Sequence, residues 1–217
     1  MIWNLLLAHF LGDFLLQTDW IARRKEEFSV LLLHVAILFS LMILLAGNNR
    51  IILWPYLLLI AVIHLIQDRI KINLTNKNNR QTVLYFFLDQ IIHVATIIGV
   101  LFFIELIHGP LDSPGKPTLV ILALVAVFLT QFWFITERII YAEDIDYVKY
   151  INLTKYSRMI TRIAFTGLLS VVSFWILPAI GLFGFAPYPQ SSHRNRAVLI
   201  DLLVSVGGFL AIFLILR

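Results

Sequence analysis

Apolar residues fill the chain in seven long runs separated by short polar stretches: roughly residues 2 to 20, 28 to 46, 51 to 70, 83 to 107, 118 to 141, 163 to 186 and 197 to 216. A helix crosses about 30 Å of hydrocarbon with about 17–25 residues, and each run has about that length. The pattern predicts an all-α fold, a polytopic transmembrane helical bundle of about seven spans within a single integral membrane domain. Pro110, Pro114 and Pro117 mark the loop between the fourth and fifth runs, and Pro187 with Pro189 closes the sixth. The first run has no positive residues before it, carries Asp13 and is followed by Arg23, Arg24 and Lys25. That is the reverse of the charge order in a secretory signal, so the run is expected to remain as a span.

Composition agrees. With 60% hydrophobic and 14% charged residues and a mean hydropathy of +0.88, the chain is too apolar for a soluble domain, whose apolar share is about 45–50%. Orientation follows from the 17 Lys and Arg. Arg23, Arg24 and Lys25 share one side with Arg69, Lys71, Lys77, Arg80, Arg138, Lys149, Lys155, Arg158, Arg162 and Arg217; only Arg50, Lys116, Arg194 and Arg196 fall on the other. Positive residues collect on the cytoplasmic side, giving an external N-terminus and a cytoplasmic C-terminus. The basic residues are scattered over short loops and form no face for nucleic acid, so no nucleic-acid partner is expected. Cysteine is absent, which leaves His, carboxylate, amide and backbone oxygen as the available metal ligands. Asn73-Leu74-Thr75 and Asn152-Leu153-Thr154 match the glycosylation pattern but lie on the expected cytoplasmic side and are read as chance.

The polar residues inside the runs carry the chemistry. His9 and Asp13 stand four apart, which stacks them on one helix face. His64 and Asp68 repeat the spacing in the third run, and Asp89 and His93 reverse it in the fourth. Because the fourth span runs opposite to the first and third, the reversal returns each carboxylate to the cytoplasmic layer and each imidazole to the deeper one. His34, in the second run, falls at a comparable depth at a rise of about 1.5 Å per residue. Four antiparallel helices over residues 1–107 would turn this stripe inward.

An ionisable group in the bilayer centre costs from about 2.5 to well over 10 kcal/mol. Three Asp and four His at one depth therefore call for a positive charge among them, and a divalent metal supplies it through its ordinary ligands. The expected metal set is His9, Asp13, His34, His64, Asp68, Asp89 and His93, holding one or two ions, Zn foremost and Mn or Fe as alternatives. The bland reading makes each pair a local couple or helix glue, worth about 0.6–2 kcal/mol per contact. Gln17 continues the face of His9 and Asp13 and is expected to orient a ligand; Gln67 and Gln90 point about 100° away from their neighbours, where contact between helices is the expected use.

The stretches LLLAHFLGDFLLQTDW, LLLHV, HLIQDRIK and FLDQIIHV, within about residues 4 to 94, resemble a family of small bacterial multi-pass membrane proteins known only as a domain of unknown function. The resemblance implies a bacterial inner (cytoplasmic) membrane protein and no particular activity.

Residues 108–217 hold three further runs and a cytoplasmic loop at 138–162. Glu137 is a candidate ligand or general base, and Arg158 with Arg162 a candidate site for a lipid phosphate; the competing reading is a set of topology determinants with an interfacial Glu137–Arg138 couple. Residues 143 to 160 are compatible with a helix on the membrane surface or with a loop. Asp201 is placed near Arg194 and Arg196 and given no chemistry, and His108 and His193 are read as solvated.

Three functions fit. The first is a membrane-embedded metal-dependent hydrolase that takes a lipid or other amphiphilic substrate from the cytoplasmic side, with Asp13 or Asp89 as the base that deprotonates a metal-bound water. The second is a divalent-cation or proton transporter or channel. The third is a non-catalytic scaffold. Absence of internal repeats and of helices broken at mid-membrane favours the first over the second.

Overall fold

The computed structural model describes residues 1–78, 83–171, 188–189 and 191–216. Every regular element among them is a helix: α1 (Ile2–Phe10), a π-helical turn (Leu11–Leu16), α2 (Asp19–Arg24), α3 (Phe28–Leu45), a 3-10 turn (Gly47–Asn49), α4 (Arg50–Asn78), α5 (Val83–His108), α6 (Pro117–Val127), a second π-helical turn (Phe128–Phe132), α7 (Trp133–Ile140), α8 (Ile145–Leu153), α9 (Lys155–Val171) and α10 (Arg194–Leu216). The protein is all-α and built for a membrane. Five helical segments are long and apolar enough to span one: Phe28–Leu45, Gly47–Leu74, Val83–His108, Pro117–Ile140 and Arg194–Leu216. Large apolar side chains on these helices stay exposed, among them Leu44, Ile51, Phe102, Leu106 and Leu214, as a lipid-facing surface requires.

Two of the seven expected spans differ. The first apolar helix ends at Leu16, because Gln17 leaves the helical conformation (φ −72°, ψ 85°) and the Thr18 hydroxyl caps a new helix by accepting the Ile21 N–H at 3.4 Å. The sixth begins at Lys155 rather than near residue 163, and its expected continuation over 172–186 lies outside the described residues. Of the segment 143 to 160, α8 and the start of α9 are helical.

The chain forms two compact units, Met1–Leu124 and Val125–Arg217. In the first, α1 packs on α3 and α5, and α4 packs on α3 and α5, around a core that includes Leu5, Leu38, Met42, Leu57, Ile60, Ile97 and Ile104. Gly12 allows a close approach: a Cβ there would stand 2.9 Å from Leu38 Cδ1. Buried Asn4 ties α1 to its surroundings by donating to the Leu45 carbonyl at 3.1 Å and the Pro114 carbonyl at 3.2 Å.

In the second unit α9 and α10 run parallel. Arg158 meets Asp201, and Thr166, two turns further on, donates to the Ser205 carbonyl at 3.1 Å. Both helices run against the segment 128–140, since Glu137 meets Arg158 while Leu129 packs on Gly208. The start of α10 therefore lies beside the end of α7, where Arg196 pairs with Asp144 at 3.0 Å. The expected alternation of the last two spans is corrected: Arg196 shares an end with the 138–162 segment, and α10 leads away from it.

Candidate metal centre

All seven sequence-selected residues of the first unit converge. His9 comes from α1, Asp13 from the π turn, His34 from α3, His64 and Asp68 from α4, and Asp89 and His93 from α5. Each is buried, from 0% exposure for His34 to 9% for Asp89. The imidazoles pack on one another, with His64 stacked on His93 at 4.1 Å between centroids and His9 lying 5.3 Å from His93 and 5.7 Å from His64.

Four ligand-type atoms define one position. His34 Nε2 lies 3.2 Å from Asp13 Oδ1, 3.6 Å from Asp68 Oδ2 and 3.3 Å from His64 Nε2. His64 Nε2 lies 3.6 Å from Asp13 Oδ1 and 3.5 Å from Asp68 Oδ2. Four atoms each about 2.1 Å from a tetrahedral ion stand about 3.4 Å apart; these five separations are of that size, and His34, His64 and Asp68 form a group that could hold one ion. Asp13 Oδ1 is buried and has no hydrogen-bond partner.

Beside it, Asp68 Oδ1 lies 3.6 Å and Asp89 Oδ1 3.3 Å from His93 Nε2. His9 Nδ1 approaches Asp13 Oδ2 only to 3.8 Å, and both its ring nitrogens lack hydrogen bonds. His9, His64 and His93, with Gln67 and Thr96, border a cavity of about 10 Å³ closed by Leu38, Met42, Ile60 and Ile97, room for about one water.

The surroundings of the ligands correct the sequence reading in three places. Gln17 forms no hydrogen bond with the seven among the described residues, because the π turn widens the helix and Gln17 ends it, so its face cannot be extrapolated from His9. Gln67 makes the expected contact between helices, its Oε1 meeting His93 Nδ1 of α5 at 2.7 Å, whereas Gln90 donates to Asp89 Oδ2 on its own helix at 3.1 Å. Two lysines first read as topology signals reach into the site: Lys25 pairs with Asp68 Oδ2 at 2.9 Å and Lys71 with Asp89 Oδ2 at 2.6 Å. Both lysines are partly exposed, at 15% and 25%. A basic residue one turn past a buried Asp is the signal that would have found Lys71.

The candidates of the second unit form a closed charge cluster instead. Asp201 accepts from Arg158 Nε and Nη2 at 2.8 Å each, from Arg162 Nε at 2.7 Å and from the Tyr188 hydroxyl. Glu137 accepts from Arg158 Nη2 at 2.8 Å, Arg162 Nη2 at 3.2 Å and Tyr147 at 2.7 Å. Arg162 Nη1 donates to the carbonyl of Leu129, in the second π turn, at 3.1 Å. Both guanidiniums are 2% exposed, so neither is presented to a lipid headgroup, and Glu137 spends its carboxylate on them rather than on Arg138. Asp201 pairs with these arginines, not with the ones at the start of its own helix. On α8, outside the spans, burial and the neighbouring Glu137 carboxylate push the Tyr147 phenol far up, which keeps it a hydrogen-bond donor.

No curated protein and no solved structure matches the chain. A family described as "Protein of unknown function (DUF3307)" matches residues 1–110, a stretch that holds all seven His and Asp of the centre and both lysines. The chain belongs to the DUF3307 family.

Proposed function

We propose that this protein is a metal-dependent hydrolase of the bacterial inner membrane that acts on a lipid or other amphiphilic substrate from the cytoplasmic side. One observation supports the reading: buried His34, His64, Asp13 and Asp68 bring four ligand-type atoms together, with five of their separations between 3.2 and 3.6 Å. Zn fits this set best, with Mn or Fe as alternatives.

A bound ion supplies an acidified water and polarises the scissile group. The remaining work falls to the chain. Asp13 serves as ligand, which leaves His9, with two unpartnered nitrogens beside a water-sized cavity, as the group that takes the proton. Apolar side chains exposed near the lysine side, Trp20, Phe28, Ile66, Ile70 and Leu84, give a hydrocarbon tail a surface to lie on. Cytoplasmic access follows from the basic residues of that end.

The test uses detergent-purified protein loaded with Zn, Mn or Fe and mixed micelles containing nitrophenyl carboxylate and phosphate esters. Hydrolysis is expected with the wild type and not with His64→Ala. His9→Gln keeps its metal and slows turnover by about 10²–10⁴-fold. Failure to cleave any probe with the ion bound overturns the reading, and zinc uptake into proteoliposomes would replace it with transport.

A further inference from the structure

We infer that the site holds a second divalent ion, bridged to the first by Asp68, and that its substrate is a phosphoester. The inference rests on the metal reading above and extends it.

A chain of hydrogen bonds fixes the state of His93. The Thr96 hydroxyl donates to the Ile92 carbonyl at 2.9 Å, so it must accept the Gln67 amide Nε2 at 2.8 Å. Gln67 Oε1 then faces His93 Nδ1 at 2.7 Å and can only accept, which places the proton on Nδ1. An outer partner that holds the far ring nitrogen in this way is the usual arrangement of a metal-bound His.

The other nitrogen, Nε2, points at carboxylates. It lies 3.3 Å from Asp89 Oδ1 and 3.6 Å from Asp68 Oδ1, is buried, and makes no hydrogen bond with either. Asp68, Asp89 and His93 each offer a ligand atom within the separation that one ion can hold. Asp68 has its other oxygen on the first position, among His34 and His64, so its two oxygens serve two ions. Paired ions about 3.5–4 Å apart clamp the attacking and leaving oxygens of phosphoryl transfer.

Charge on the open side points to the same substrate. Lys25 and Lys71 neutralise Asp68 and Asp89. Once ions take over that task, two ammonium groups stand at the mouth for a phosphate.

Metal content tests the second ion. Dialysed wild-type protein titrated with Zn and Mn should bind two per chain; His93→Gln and Asp89→Asn should each bind one and remain monodisperse and helical. One ion in the wild type, or two in both variants, overturns the second site while leaving the first. No ion in any form removes both. Activity tests the substrate. The two-ion form should cleave a bis(nitrophenyl) phosphate in micelles, be inhibited by inorganic phosphate, and show a KM raised about tenfold with kcat little changed in Lys71→Met. Cleavage of the carboxylate ester alone, with no inhibition by phosphate, refutes the phosphoester assignment.

Discussion

Asp201→Asn removes one negative charge from the buried cluster of the second unit with almost no change in shape. Arg158 and Arg162 are balanced there by Glu137 and Asp201, all at 2% exposure or less. The substitution leaves two guanidiniums against one carboxylate. A charge pair about 4 Å apart at an effective dielectric of about 20 is worth about 4 kcal/mol, and breaking one partner of a buried pair costs about 3–5 kcal/mol. Against a total stability of about 5–15 kcal/mol, the expected loss is large. Adding Arg162→Met restores the balance, so the double variant should be more stable than the sum of the single changes by about 1–3 kcal/mol. Titration of the detergent-solubilised protein with dodecyl sulfate, followed by far-ultraviolet circular dichroism, measures both quantities. A loss below about 1 kcal/mol for Asp201→Asn, or strict additivity in the double variant, would refute the view of this cluster as a balanced ion network.

Gln67→Leu removes the acceptor that holds His93 and should weaken metal affinity by about 10–100-fold, read from competition with a chromogenic chelator; Gln17→Leu should not change it. Gly12→Val pushes a branched side chain against Leu38, whose Cδ1 would lie 2.9 Å from the new Cβ, and should cost about 1–3 kcal/mol by overpacking in the same unfolding assay. Asp144 caps α8, where the Tyr147 N–H and then Arg196 hold its carboxyl below the ordinary value. A depressed carboxyl stabilises the fold above its unfolded pKa and loses that contribution as pH falls through the folded value. The melting temperature of Asp144→Asn should therefore lie below wild type at neutral pH and converge with it as pH falls below the ordinary carboxylate range; a constant gap would contradict the assignment.

The convergence of the buried His and Asp was legible in the sequence because polar residues stand out in apolar runs and because the His-to-Asp order reverses when helix direction reverses. The side chains that support it were not. Gln67 lies about 100° from His64 around its own helix, and only packing against α5 makes that direction useful. Lys25 and Lys71 looked like topology markers because the loop that carries a lysine says nothing of where its flexible stem folds back. The length of the first run was overestimated although Thr18 followed by Asp19 is a capping signal within it. The direction of α10 was missed because spans were taken to alternate. Asp201, unassigned in sequence, takes Arg158 and Arg162 as its partners from 43 and 39 positions away.

X-ray absorption at the metal edge of zinc-loaded protein, limited to one ion per chain, tests the central claim most directly. Four nitrogen or oxygen neighbours at about 2.0–2.1 Å with the scattering of two imidazoles are expected, and that signature should vanish in His64→Ala. A shell of oxygens without imidazole, or an identical spectrum in the variant, would contradict a metal held by His34, His64, Asp13 and Asp68.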